Sequence, residues 1–376
     1  MIELAISLLA GAASVYLGVP YAKKYLMASG IYGIDQQKKE KPKLPTSGGI
    51  PVLFGFIFSV TLFMALSAVT GTSVNLTILL AALCSANIIA VIGLIDDIHI
   101  DLEGIIREET GDEKFELELN RKIAEIDIPH QVIHEKISVI VGDEEKTSDE
   151  HRKGLSQVPK MLFVFPALLP LIAAGAGSWV MTVPVINYTV NWGLIYPLLL
   201  MPGGFFFVTN SVNMLAGTNG LSTSLTAVTS SAVGVFALMN GRIEAAVIAL
   251  SLAASTVAFL KYNRYPASIL PGDSFTYLAG AAIFAAVVIG NIEKFGSTLF
   301  ALYILEFFLK ARSRFKARSW GILQEDGTLK PQHDKIYSLT HPLMDRGLTE
   351  KQITQALAGF QIVWCVLMLG FHTLVI

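Results

Sequence analysis

Thr77-Ile-Leu-Leu-Ala-Ala-Leu-Cys-Ser-Ala-Asn-Ile-Ile-Ala-Val-Ile-Gly-Leu-Ile-Asp96-Asp97 decides how the chain is to be read. Residues 77–95 carry no charge, and two carboxylates then stand side by side. An α-helix needs about 20 mainly apolar residues to cross a bilayer, and this run supplies them. Working outward, nine more runs of similar character occur at roughly 2–22, 50–70, 159–181, 193–212, 220–239, 243–261, 274–291, 296–310 and 352–374. Glycine and proline inside them are no objection in a membrane. The whole composition agrees. Of 376 residues, 53% are hydrophobic and 15% charged, against about a quarter charged in a soluble domain, and mean hydropathy is +0.56. The expected fold class is an all-α integral membrane protein of about ten transmembrane helices, with active-site loops on the cytoplasmic side. One polytopic domain spans 1–376.

The loops between the spans fall into two alternating sets. One holds 23–49, 96–158, 213–219, 262–273 and 311–351; the other holds 71–76, 182–192, 240–242 and 292–295. The second set contains only Arg242 and Lys294, so 26 of the 28 Lys and Arg residues lie in the first set or at its helix ends. The excess of positive charge places the first set in the cytoplasm and both termini outside. The sequons at Asn75 and Asn187 then also fall outside. Met1-Ile2-Glu3 has no basic start, so the first run reads as a retained helix and not a cleaved signal. Cys84 and Cys365 both lie in apolar runs, which argues against disulfides, thiol catalysis and a zinc site. One cytoplasmic loop stands apart. Residues 101–150 hold 16 of the 30 acidic residues, and 115–119 and 130–141 have strand-like patterning. They read as a small, partly β insert, either a solvated spacer or a docking element.

Polar residues near membrane depth usually mark a pathway or a site, and five clusters stand out, all on the cytoplasmic side. Lys41-Pro-Lys-Leu-Pro-Thr-Ser-Gly-Gly-Ile50 opens the second span; Gly48 and Gly49 either bring backbone N–H groups to a phosphate or form a structural turn. Asp96 and Asp97 sit at the wrong end of a helix dipole, which a divalent cation explains, as does a solvated helix end. Thr209-Asn210-Ser-Val-Asn213-Met-Leu-Ala-Gly217-Thr-Asn219-Gly220 closes the fifth span. Asn210 and Asn213 share one helix face, and the stretch suits a metal or a sugar nucleotide; a simple helix break is the alternative. In Tyr-Asn263-Arg264-Tyr-Pro-Ala-Ser-Ile-Leu-Pro271-Gly272-Asp273-Ser274, Asp273 is either a helix N-cap or a carboxylate for Mg²⁺. The loop 311–350 opens with Arg312-Ser-Arg314-Phe-Lys316-Ala-Arg318, fit for a pyrophosphate or for anchoring topology, and later carries Ser338-Leu-Thr340-His341-Pro342. Carboxylates, amides and cations without a Ser-His-Asp, Cys-His or Walker arrangement point to metal-assisted phosphoryl chemistry.

In this order, Asp96-Asp97, Asn213-Met-Leu-Ala-Gly-Thr-Asn-Gly220, Pro271-Gly-Asp273 and the late His341 loop resemble the polyprenyl-phosphate N-acetylhexosamine-1-phosphate transferases, of the glycosyltransferase family 4 type. The resemblance covers nearly the whole chain except 101–150. It implies Mg²⁺, with Mn²⁺ as an alternative, held by Asn213 and Asp273. Asp96, Asp97 and Lys160 would be catalytic, the first two at the lipid-phosphate and metal end and Lys160 on a phosphate. Asn210, Gly217, Asn219, Arg312, Arg314 and His341 would bind substrate, with Asn219 near uracil and the arginines on the pyrophosphate or sugar. The bacterial translocase of the family carries three consecutive histidines where this chain has Thr340-His341-Pro342, which argues against the peptidoglycan enzyme. The Tyr-Asn263-Arg-Tyr-Pro stretch is closer to the dolichol-type branch, of archaeal character. The resemblance therefore implies UDP-N-acetylglucosamine as donor, a polyprenyl or dolichyl phosphate as acceptor, a bilayer setting, no nucleic acid and room for a homodimer, in a glycosylation pathway.

The expected reaction is an in-line attack of the lipid phosphate on the β-phosphorus of the UDP-sugar, with loss of UMP. Asp97 would position groups, or take a proton when the lipid phosphate is a monoanion; a covalent aspartyl intermediate is the rival route. Rivals in function are another UDP-N-acetylhexosamine donor, a membrane transporter and a lipid-binding scaffold.

Overall fold

The computed structural model describes residues 1–98, 157–183 and 188–375. The helices are α1 (Ile2–Ala28), α2 (Gly49–Thr70), α3 (Leu76–Asp97), α4 (Gln157–Ala173), α5 (Met201–Met214), α6 (Leu221–Met239), α7 (Ile243–Asn263), α8 (Gly272–Ile289), α9 (Glu293–Leu299), α10 (Ala301–Ala311), α11 (His341–Asp345) and α12 (Glu350–Val375). Three antiparallel two-stranded ladders join them: β1 (Tyr32–Ile34) with β2 (Lys43–Pro45), β3 (Val180–Val183) with β4 (Tyr188–Asn191), and β5 (Ile322–Leu323) with β6 (Leu329–Lys330).

Among the described residues, seven helices are long and apolar enough to cross a membrane: α1, α2, α3, α6, α7, α8 and α12. The other three expected spans are helical but modified. The run at 159–181 ends as α4 at Ala173 and gives way to the β3–β4 hairpin. The run at 193–212 begins as a π-helical turn, Tyr196–Leu200, and continues as α5. The run at 296–310 is divided at Phe300 between α9 and α10. The architecture is thus mostly helical with small sheets, and the strand-like stretches of 101–150 lie outside the described residues.

Local chemistry fixes several helix ends. Asn75 caps α3 by accepting the Ile78 N–H at 3.2 Å. Thr349 and Gln352 form a reciprocal capping box at α12: the Gln352 side chain accepts the Thr349 N–H at 2.9 Å, and Thr349 Oγ1 accepts the Gln352 N–H at 3.4 Å.

The helix α8 lies at the centre of the bundle, buried on every face from Ser274 to Val288. Its small residues, Ala279, Ala281, Ala282, Ala285 and Ala286, let α3 and α5 approach closely. Polar pairs add to this packing, among them Ser59 with Ser251 at 2.8 Å and Gln361 with Thr229 at 3.0 Å, each contributing about 0.6 kcal/mol in a membrane setting. Leu9, Leu17, Phe308, Val363, Val366 and Leu367 face outward, as a hydrocarbon surround requires. Asp97, Gly217 and Asn263, at or just beyond the ends of α3, α5 and α7, meet Gly272, Asn219 and Glu350, at or just before the starts of α8, α6 and α12, at one end of the bundle.

Candidate functional site

Asp97, the last residue of α3, accepts the backbone N–H of Asp273 at 2.7 Å, that of Ser274 at 3.1 Å, and the Ser47 hydroxyl at 3.0 Å. It therefore caps α8 from another helix, where that helix's own Pro271 offers no side chain to do so. Asp273 is the second residue of α8 and not its N-cap, so the structural reading of that carboxylate does not hold. Two glycines make the approach feasible. Gly272 has φ +70°, and a Cβ there would strike the Asp97 carboxylate. At Gly93, one turn earlier on α3, a Cβ would lie 2.6 Å from the Asp273 carbonyl oxygen and the Ser274 nitrogen.

The Gly48 and Gly49 N–H groups donate to the carbonyls of Leu270 and Pro271, both at 3.0 Å. They form a structural seam with the segment before α8, and are not turned toward a phosphate.

Tyr277, one turn after Asp273 on α8, is 2% exposed and hydrogen-bonded to Asn213. With Asp97 bonded to the first turn of α8 and Asn213 bonded to Tyr277 one turn on, the ends of α3 and α5 meet the start of α8 here, with Asp96 buried and Asp273 and Asn213 half-buried. Among the described residues, no three His, Cys, Asp or Glu side chains form a ready-made metal cage. An oxygen-only set of one or two carboxylates and an amide fits Mg²⁺, which completes its shell with water and phosphate oxygens. Asn210, on the same face of α5 as Asn213, turns its amide back to the Phe206 carbonyl at 2.8 Å.

Beside this cluster lies a cavity of about 240 Å³, lined by residues 34–37, 216–219, Asn263, Leu270, Pro271 and Trp320. Both Gly217 and Asn219 are in its wall. Asn219 is 7% exposed, and its Oδ1 accepts the Ala267 N–H at 3.0 Å. Gln37 clamps two sides of the cavity: its Nε2 donates to the Gly217 carbonyl at 2.6 Å and its Oε1 accepts the Gly321 N–H at 3.3 Å.

The basic loop after α10 divides its arginines. Arg318 stacks 5.1 Å from the Trp320 ring, and Trp320 lines the cavity. Arg312 donates to the Ile336 carbonyl at 3.2 Å, and Arg314 is exposed with φ +55°. His341 is 1% exposed. Its Nδ1 accepts the Tyr337 N–H at 3.3 Å, so Nε2 carries the proton and donates to the Arg318 carbonyl at 2.9 Å. His341 thus reaches the site by holding the backbone of Arg318. Burial holds the pKa of neighbouring His333 below the ordinary histidine value, an effect that His341, Lys310 and Arg318 reinforce and Asp334 opposes. Lys160 falls in the first turn of α4, which packs on α3.

Residues 146–291, which include the asparagine stretch and Asp273, match the family model described as glycosyl transferase family 4. The match spans the stretch that joins the fifth-span asparagines to α8. A Saccharolobus solfataricus protein provisionally named UDP-N-acetylglucosamine–dolichyl-phosphate N-acetylglucosaminephosphotransferase is 27% identical over 361 residues, covering 95% of this chain and 93% of its own. A Sulfolobus acidocaldarius protein of the same provisional name is 26% identical, covering 92% and 89%. A phospho-N-acetylmuramoyl-pentapeptide-transferase of Clostridium perfringens is 24% identical over 58% of this chain and 67% of its own.

Reading the sequence motifs leaves out Tyr277, Asp35, Gln37, Lys38 and Glu350. Tyr277 had a signal, since Asp273 and Tyr277 are four apart and share a helix face. The others had none, because nothing in the sequence brings position 35 to position 350.

Proposed function

We propose that this chain transfers N-acetylglucosamine-1-phosphate from UDP-N-acetylglucosamine to a dolichyl-type polyprenyl phosphate, releasing UMP. The observation that carries the reading is the contact between two parts: the Asp96, Asp97, Asp273 and Asn213 cluster around Tyr277, and the cavity walled by Gly217 and Asn219, joined at Pro271 and Gly272. The relatives that match nearly end to end bear names of the same reaction. The excess of lysine and arginine in one set of loops supports a bundle of ten crossings with its active end toward the cytoplasm.

In this reading the cavity takes the uridine, which lays the diphosphate along Pro271 and Gly272 toward Asp273. Asp273 and Asn213 would hold Mg²⁺, which would supply charge neutralisation to the diphosphate. Tyr277 orients Asn213. Asp97 fixes the start of α8, and with it the Asp273 backbone, through three accepted hydrogen bonds; so engaged, it positions and does not act as a base. The lipid phosphate, largely dianionic near neutral pH, attacks the β-phosphorus without needing one, and UMP departs. Arg318, held by His341 and stacked on Trp320 in the cavity wall, is the cation assigned here to the diphosphate charge.

The test uses purified protein in detergent with a polyprenyl phosphate, Mg²⁺ and a panel of UDP-sugars, following UMP. Release with UDP-N-acetylglucosamine that is abolished by EDTA and by Asp273→Asn is the expected result. Release unaffected by Asp273→Asn sinks the metal assignment, and no release with any donor from folded protein sinks the reaction.

A further inference from the structure

Glu350, the first residue of α12, is 3% exposed and 131 residues from the Asn219 N–H that it accepts at 2.7 Å. Its other carboxylate oxygen pairs with Lys38, which is also 3.2 Å from Asp35 and lies 4.6 Å above the Tyr265 ring. One turn along α12, Thr354 donates to the Asn219 carbonyl at 3.1 Å and pairs with the Thr218 hydroxyl at 2.7 Å. The start of α12 therefore grips three successive polar groups of the cavity wall. On the opposite wall, Asp35 accepts the Gln37 N–H at 3.4 Å, and Gln37 reaches back to Gly217.

We propose that Lys38 and Glu350 are positioning residues for the donor nucleotide: their ion pair sets the height of the 217–219 wall against the 35–37 wall, and so the affinity for a uridine nucleotide. The proposal rests on the donor reading above. The buried carboxylate of Glu350 has a structural reason to be there only if its charge is matched, because an unpaired buried carboxylate is strongly unfavourable. Lys38 supplies the match from the loop between β1 and β2, some 312 residues away. None of these groups touches Asp273, Asn213 or Tyr277 in the described contacts, so the effect belongs to donor binding and not to phosphoryl transfer.

Lys38→Met and Glu350→Gln are each expected to raise KM for UDP-N-acetylglucosamine roughly tenfold, the usual weight of a charged hydrogen bond. KM for the lipid phosphate and kcat should stay within about twofold. Lys38→Arg should restore most of the donor affinity. The double variant should be no worse than either single one, since both remove the same interaction. Amide hydrogen exchange of 216–221 in the full-length protein should quicken in both single variants. A donor KM unchanged in either variant, a fall in kcat with KM constant, multiplying effects in the double variant, or unchanged exchange would each overturn the proposal. If wild-type protein releases no UMP from any UDP-sugar, the reaction assigned above fails on its own, and the exchange of 216–221 still decides whether the pair holds the wall.

Discussion

At the scale of single residues, Asp97 receives two backbone N–H groups from the first turn of α8 and a hydroxyl from Ser47. Replacing it by alanine removes a cap made between helices. Thermal unfolding of Asp97→Ala should show a loss of about 0.5–2 kcal/mol, as for other caps. Displacement of Asp273 should lower kcat roughly 100-fold, the scale of a misplacement of about 1 Å. Full activity in that variant would refute a positioning role. Tyr277→Phe keeps the ring packing and loses the bond to Asn213. UMP release titrated with Mg²⁺ should then show a weaker half-saturation, by roughly tenfold, in protein that melts as the wild type does. Asp96, Asp97 and the asparagines stand out in the sequence because polar groups at the end of an apolar run are costly. That Asp97 caps the helix that carries Asp273 does not, because it depends on which helix start meets which helix end.

At the scale of elements, the junction of α3 and α8 needs the absence of a side chain at Gly272. Gly272→Ala places a methyl group against Asp97 at a left-handed φ, and the variant should lose about 1–3 kcal/mol together with donor turnover; a fully active and stable Gly272→Ala would show that the two helices can separate harmlessly. The loop from α10 to α11 carries a pH dependence of its own. His333 accepts the Arg318 N–H at 3.4 Å through a nitrogen that must be unprotonated. Its folded pKa is lowered chiefly by burial, so the unfolded loop takes up a proton first. The penalty is absent above the ordinary histidine value of about 6.5, grows as pH falls below it, and is complete below the folded value. Limited proteolysis within 312–340 should therefore speed up between about pH 7.5 and about pH 5.5, and His333→Gln should flatten the trend; a loop more resistant in acid would contradict it. Helix existence was readable from apolar run length. The break at Phe300, the π turn at Tyr196 and three ladders of two to four residues were not, since pieces so short carry no period to detect.

At the scale of the whole molecule, the lysine and arginine bias makes a prediction that single cysteines can check. With Cys84 and Cys365 replaced, a cysteine at Gly241 should react with an impermeant reagent from outside intact cells, and one at Gly327 only after permeabilisation; the reverse pattern would invert the whole arrangement. Among the described residues, seven helices have the length and hydropathy of a crossing; the breaks within the other three runs escaped the sequence because hydropathy registers apolarity and not continuity. One consequence follows from the grip of α12 on the cavity wall. During synthesis the Asn219 loop emerges well over a hundred residues before Glu350, its partner, and Lys38 waits longer still. Until α12 has folded against it, the cavity wall at 217–219 lacks its brace. On the donor reading, a half-made chain that still lacks α12 has an unbraced cavity wall and a correspondingly low affinity for a uridine nucleotide.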